Sequence, residues 1–179
     1  MLSMYETDEA AGSSTGTIRI TGGSFAAIDR YKDVVYRTAL TATGNHADAE
    51  DVMQEVFLRY FQTHPTFASD THEKAWFIRV ALNQSYNITR SVWFRRRTDA
   101  DLTKIPQPEE VQTDSAVLRA VLALPERYRV AVYLYYYEEY PTKEIARLMG
   151  KSEAAVAQYL SRGRAKLRRK LGGAGHESA

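Results

Sequence analysis

The chain has 179 residues, 44% of them hydrophobic and 26% charged, and its 24 Lys and Arg nearly balance 22 Asp and Glu to leave a formal net charge of +2. That length suits one ordinary domain or two small ones, and the absence of cysteine excludes a disulfide framework, thiolate zinc sites and cysteine nucleophiles together. No apolar run approaches the roughly 20 residues of a spanning helix, and the N-terminus lacks the basic start and apolar core of a signal peptide, so the expectation is a soluble, cytoplasmic chain without membrane insertion.

Residues 1–23 are rich in Gly, Ser, Thr and acids without a sustained apolar period and read as a mobile tail, with Ile18-Arg-Ile20 open to a short strand. From Ser24 a helical period takes over, with Phe25, Ile28, Tyr31, Val35 and Ala39 at three- and four-residue steps facing a core, until Gly44-Asn45. Asp48 to Gln62 is a second helix with Val52, Val56 and Tyr60 on its apolar side, flanked by Met53, Phe57 and Phe61, and stopped by His64-Pro65. A third runs from about Glu73 to Phe94, with Trp76, Phe77, Val80, Ala81 and Ile88 available for packing. The stretch 98–113, with Pro106, Pro108, several acids and little apolar content, reads as a flexible linker.

Beyond the linker, Ala116 to Ala123 supplies a short helix through Val117, Leu118, Val121 and Leu122. Leu124-Pro125 opens the next, to about Glu138. Tyr133 and the run Tyr135 to Tyr137 on it are expected in the core. Lys143 to Met149 is another short helix, Gly150 suits a left-handed position, and Ser152 is the N-cap of a last helix reaching about Lys170, held by Ala155, Val156, Leu160 and Leu167. The fold expected is all-α: two small helical bundles, 24–97 and 114–171, joined by the linker, the second ending in a helix-turn-helix and followed by a tail, 172–179.

Three surfaces carry chemistry. On the second helix Asp51, Gln54, Glu55 and Leu58 lie on one face opposite the packed stripe, which is either a solvated acidic face or a site for a basic partner. The third helix projects Arg79, Asn83, Asn87 and Arg90 and continues into Arg95-Arg96-Arg97, with Phe67, Tyr86, Trp93 and Phe94 nearby in sequence. Cations for phosphates beside amides and aromatic platforms favour a melted strand, although Trp76 and Phe77 are assigned to packing and Trp93 is undecided. On the last helix the residues from Ser152 to Tyr159 suit a major groove and Arg162, Arg164, Lys166, Arg168 and Arg169 suit phosphates. The four histidines, His46, His64, His72 and His176, have no metal-ligand spacing and read as surface residues. No nucleophile-base pair or phosphate-cradling glycine loop appears, so no catalytic, metal or cofactor site is expected.

With these residues in place, the chain from about Ser24 to Leu171 resembles the extracytoplasmic-function sigma factors of bacterial RNA polymerase, which keep only regions 2 and 4. The fragments that carry the resemblance are Asp48-Ala-Glu-Asp-Val-Met-Gln-Glu-Val-Phe, Trp76-Phe-Ile-Arg-Val-Ala-Leu-Asn83, Leu124-Pro-Glu-Arg-Tyr-Arg129, Lys143-Glu-Ile-Ala146 and Leu160-Ser-Arg-Gly-Arg164. It implies that Asp48, Asp51, Gln54, Glu55 and Leu58 bind the clamp helices of core polymerase. It implies that Phe67, Arg79, Asn83, Tyr86, Asn87, Arg90, Arg95 and Arg96 engage the minus-ten element, with a base of the non-template strand flipped out near Phe67 and Asn83. Ser152, Glu153, Ala155, Gln158, Tyr159, Arg162, Arg164 and Lys166 would read the minus-thirty-five element while region 4 docks on the polymerase flap. An anti-sigma factor is the further partner the resemblance implies.

Asn87, Pro141 and Ala157-Gln158-Tyr159 depart from the family pattern, in which an acid, a capping hydroxyl and a basic and polar cluster are common. They leave the promoter sequence open. The alternatives are an autonomous helix-turn-helix regulator, which binds duplex DNA tightly without polymerase, and a helical interaction protein with no salt-dependent DNA binding.

Overall fold

The computed structural model describes residues 22–98 and 116–173, and every element among them is helical. The first bundle contains α1 (Gly22–Thr43), α2 (His46–Thr63) and α3 (Asp70–Thr98). The second contains α4 (Ala116–Leu122), α5 (Glu126–Tyr136), α6 (Thr142–Met149) and α7 (Glu153–Gly173). The possible strand at Ile18-Arg-Ile20, the prolines of the linker and His176 lie outside the described residues.

Local chemistry sets the breaks. Gly44, at φ 83, ends α1, and its N–H donates to Leu40 O at 2.8 Å. Asn45 is extended and caps α2 by accepting from the Asp48 N–H at 2.8 Å, while its amide donates to the Asp48 carboxylate at 2.7 Å. His64 closes α2 in the left-handed region, just ahead of Pro65. α3 starts at Asp70, one turn before the expected Glu73, because the Ser69 hydroxyl caps it by accepting from the His72 N–H at 3.3 Å. Pro125 and Pro141 stand at the N-caps of α5 and α6 without a side-chain bond to offer.

Buried positions at three- and four-residue steps bring the first bundle together: Tyr31, Val35, Thr38 and Ala39 from α1, Val52 and Val56 from α2, Phe77, Ile78 and Leu82 from α3. Phe77 is their aromatic hub, with ring centroids 4.6 Å from Tyr31, 5.5 Å from Phe57 and 5.1 Å from Tyr60. In the second bundle Val130, Leu134, Ile145, Val156 and Leu160 fill the equivalent space. Gly163 lets α7 approach α5 closely, since a Cβ there would lie 2.8 Å from Val132 Cγ2.

The bundles pack directly on each other, α5 against α1 and α6 against α3. At the seam the Arg129 guanidinium, buried, donates to the carbonyls of Thr41, Ala42 (2.9 Å) and Leu122 (3.0 Å), so one cation closes the carbonyl ends of α1 and α4. Gly44 leaves room for it: a Cβ at that position would sit 3.2 Å from Arg129 Nη1. Around this centre Lys74 Nζ pairs with Glu138 Oε2 at 2.7 Å, Arg79 donates to Arg147 O at 3.1 Å, and the Arg37 guanidinium lies 5.1 Å from the Tyr137 ring centroid.

Several expected core positions are not core. Phe25 is 59% exposed in the first turns of α1, and Val117 and Leu118 are 58% and 40% exposed on α4, whose buried positions are Ala120 and Leu122. Of the four tyrosines expected in the core at 133 and 135–137, Tyr133 is buried, while Tyr135, Tyr136 and Tyr137 are exposed. Successive helical residues step by about 100°, so three in a row cannot share a face.

Glu139, between α5 and α6, adopts φ 58, a left-handed conformation that disfavours a side chain with a Cβ. Glu139→Gly is therefore expected to raise stability by about 0.5–1 kcal/mol, read as a higher urea midpoint. An unchanged or lower midpoint would show that the Glu139 side chain contributes more than its backbone costs.

Candidate partner and nucleic-acid interfaces

On α2 the side opposite the buried Val52 and Val56 presents Asp51, Gln54, Glu55 and Leu58, all exposed, Leu58 at 41%. Neither Asp51 nor Glu55 forms an ion pair with a described residue. Asp48, grouped with them from the sequence, is half-buried and engaged with the Asn45 cap, so it serves the start of the helix.

The α3 surface divides into two parts. Asn83, Asn87 and Arg90 are exposed along one side, and Phe67, in the loop before α3, is half-buried with its ring 5.8 Å from Trp76 in an edge contact. Trp76 also meets Tyr60 and Phe77 edge-on, so the Phe67 loop rests on a packed aromatic floor. Arg79 and Tyr86 are instead drawn into the seam. Tyr86 is half-buried, and burial followed by the nearby Glu126 carboxylate pushes its phenol up. Sequence spacing aligned Arg79 with the stripe and placed Tyr86 nearby, but had no means of placing the second bundle over them. Arg95 and Arg96 lie on the last turns of α3, and their side chains are outside the described residues.

The helix-turn-helix is built from α6, a left-handed Gly150 at φ 62 whose N–H reaches the Ala146 and Arg147 carbonyls, and α7, capped at Ser152 by a bond from the Ala155 N–H to its hydroxyl at 3.1 Å. The buried Ile145, Leu148, Met149, Val156 and Leu160 hold the two helices. Glu153, Ala154, Ala157, Gln158, Arg162 and Arg164 are exposed along α7. Ala155 and Tyr159 are half-buried, the latter with its ring 6.0 Å from Tyr128, so they lie on the packed flank rather than the outer face. Lys166 is also half-buried, and Arg164 donates to the Tyr136 hydroxyl at 3.4 Å.

A cleft of about 960 Å³ runs along the seam between the start of α3 and the α5–α6 turn, and its lining includes His72, Lys74, Glu138 and Glu144. Among the described residues no group of three His, Asp or Glu could hold a metal ion, and no helix is long and apolar enough to cross a membrane. His46 and His64 are exposed, and the His46 ring shares a 2.5 Å hydrogen bond with the Tyr36 hydroxyl.

Family models for Sigma-70 region 2 and Sigma-70 region 4 match residues 27–97 and 114–167. A relative named ECF RNA polymerase sigma factor SigL, from Mycobacterium tuberculosis, is 35% identical over 144 residues, covering 75% of this chain and 81% of its own. The chain belongs to the ECF sigma factors. As an ECF sigma factor it acts in transcription initiation and binds DNA. SigW of Bacillus subtilis, another of the family, is 27% identical over 161 residues, covering 80% of this sigma factor and 86% of SigW. In fold, the chain is similar to the sigma factor RpoE of Bartonella quintana, solved in complex with the anti-sigma factor NepR, at a TM-score of 0.70 and 20% identity over 84% of this chain and 98% of that one.

Proposed function

We propose that this sigma factor divides its work between two helical regions in the manner its sequence implies. Residues 24–97 form region 2, in which Asp51, Gln54, Glu55 and Leu58 bind the clamp helices of core polymerase, and Phe67, Asn83, Asn87 and Arg90 engage the minus-ten element as it melts. A base flipped from the stack costs a few kcal/mol, which a pocket for it offsets without nucleotide hydrolysis. Residues 114–171 form region 4, in which the exposed Glu153, Gln158, Arg162 and Arg164 meet the minus-thirty-five element and the domain docks on the flap. The segment 98–113 links the two, an anti-sigma factor is the regulatory partner, and the whole assembly works in the cytoplasm. Polymerase performs the chemistry of RNA synthesis, and this chain supplies recognition.

The observation that supports the reading most directly is the α2 face: two carboxylates, an amide and a leucine, exposed together on a helix whose opposite side is fully committed to the core. A surface of that composition suits a basic partner with an apolar centre. Glu55→Lys is therefore expected to weaken binding to core polymerase at least about tenfold, the cost of reversing one interfacial charge, while leaving helix content unchanged. Equal affinity of the folded variant and the wild type would remove Glu55 from the interface.

A further inference from the structure

Arg129 belongs to the second bundle, yet two of its bonds end in the first, on the carbonyls of Thr41 and Ala42 in the last turn of α1. α1 has run out of its own N–H donors there, and both residues are buried, at 5% and 1% exposure. The third bond runs from Arg129 Nη1 to Leu122 O at the end of α4, 3.0 Å away. A Cβ on Gly44 would come within 3.2 Å of that same nitrogen. One planar group therefore closes a helix end in each bundle, and Gly44, which turns the chain toward α2, is the wall beside it.

Contacts continue from these carbonyls into α2 without a break. The Thr43 hydroxyl donates to Ala39 O at 2.9 Å, with Asn45 O a second acceptor at 3.2 Å, and the Gly44 N–H donates to Leu40 O at 2.8 Å. Asn45 then receives the Asp48 N–H on its side chain and the Ala49 N–H, at 3.2 Å, on its carbonyl. Residues 41–49 thus form one hydrogen-bonded corner, held on its inner side by α1 and α2 and on its outer side by a side chain from the other bundle. Asp51, on the exposed face of α2, follows within one turn.

We propose that Arg129 makes the α1–α2 corner and the seam between the bundles a single two-state element. With the bundles together the corner is pinned and α2 starts at His46. With them apart Arg129 is withdrawn, the carbonyls of Thr41 and Ala42 exchange a charged donor for water, and the first turn of α2 loosens. Linkage makes the effect reciprocal: a partner that reshapes the start of α2 shifts the seam by the same free energy. The bearing of this coupling on polymerase rests on the reading of α2 as the clamp-binding helix. Arg129 touches no partner in this scheme and is a positioning residue.

The test is amide hydrogen exchange, resolved by residue in the full chain over a series of low urea concentrations. The N–H groups of Gly44, Asp48 and Ala49 report on the corner, and those of Ala123 and Leu124, bonded to Arg119 O and Val121 O at 3.0 Å, report on the end of α4. In the wild type all five should exchange through one opening, with the same urea dependence, while the core amides of Val56 and Phe77 stay protected beyond it. Arg129→Lys, which has no fork to reach all three carbonyls, should speed the five by a common factor of at least about ten. Gly44→Ala alters only the first bundle, yet by crowding Nη1 it should speed Ala123 and Leu124 together with the corner. Separate openings for the two groups in the wild type, or a Gly44→Ala effect confined to residues 44–49, would overturn the coupling and leave the polymerase reading of α2 intact. Glu55→Lys is the reference: it should leave all five rates at their wild-type values, so a failure of the clamp assignment is read from polymerase binding alone.

Discussion

Arg129→Ala is expected to lower the unfolding free energy by about 3 kcal/mol, the largest effect of any single truncation at the seam. The wild-type arrangement sets two opposing terms against each other. Burial lowers the Arg129 pKa, with Glu126 acting the other way, and no described carboxylate forms a salt bridge with the guanidinium. Against that cost stand its bonds to the carbonyls of Thr41, Ala42 and Leu122, at the ends of two helices where intrahelical partners run out. Charged donors contribute about 1.5–3 kcal/mol each in such settings, so three of them outweigh the desolvation. Alanine removes the donors, strands the carbonyls and leaves a void. Arg129→Lys keeps the charge but has no planar fork to reach all three, and should recover only part of the loss. Urea unfolding of the folded variants measures this, and a midpoint for Arg129→Ala equal to the wild type would mean that water replaces the guanidinium at no cost.

At Gly163 the expected results for alanine and valine diverge, and the difference reports on the α5–α7 contact. A Cβ would lie 2.8 Å from Val132 Cγ2, which forces a shift, whereas helix propensity alone favours alanine over glycine by about 1 kcal/mol. Overpacking of a fitted core costs about 1–3 kcal/mol, so Gly163→Ala should be destabilising by roughly 1 kcal/mol net and Gly163→Val by roughly 3 kcal/mol. Val132→Ala removes the obstructing methyl groups. In the double variant Val132→Ala with Gly163→Ala, the second substitution should therefore be stabilising, a coupling visible in a double-mutant cycle of unfolding free energies. Strict additivity would place the strain elsewhere. Val132 is on the same side of α5 as Tyr128, so any displacement of α7 here also disturbs the contact between the Tyr128 and Tyr159 rings.

The helices themselves were legible because each buries a stripe whose period is visible in the chain: Val52 with Val56, or Ile145 with Leu148 and Met149. The cap at Ser152 and the left-handed Gly150 announce themselves by residue type, and the structure has a bond and a dihedral to match. What periodicity does not encode is which helix faces which across a long separation. Arg79 and Tyr86 fall in register with Asn83 and Arg90, yet the packing of the second bundle on α3 takes the first pair and leaves the second exposed. Arg129 was visible as part of a motif and silent as to role, since its partners are backbone carbonyls, two of the three 87 and 88 residues away, which carry no side-chain signature. The tyrosines of α5 misled for a simpler reason: aromatic content suggests burial, whereas rotation around the helix decides it.

The seam also carries a thermodynamic consequence. Arg79 and Tyr86, which the sequence assigns to the melted strand, are engaged by the chain's own second bundle. A group cannot serve both, so on that assignment the second bundle is a tethered competitor of promoter DNA, present at an effective concentration set by the 98–113 segment rather than by any solution. Apparent affinity then scales with the fraction of molecules in which the bundles are apart, and a seam favoured 99 to 1 would weaken promoter binding about a hundredfold with no inhibitor present.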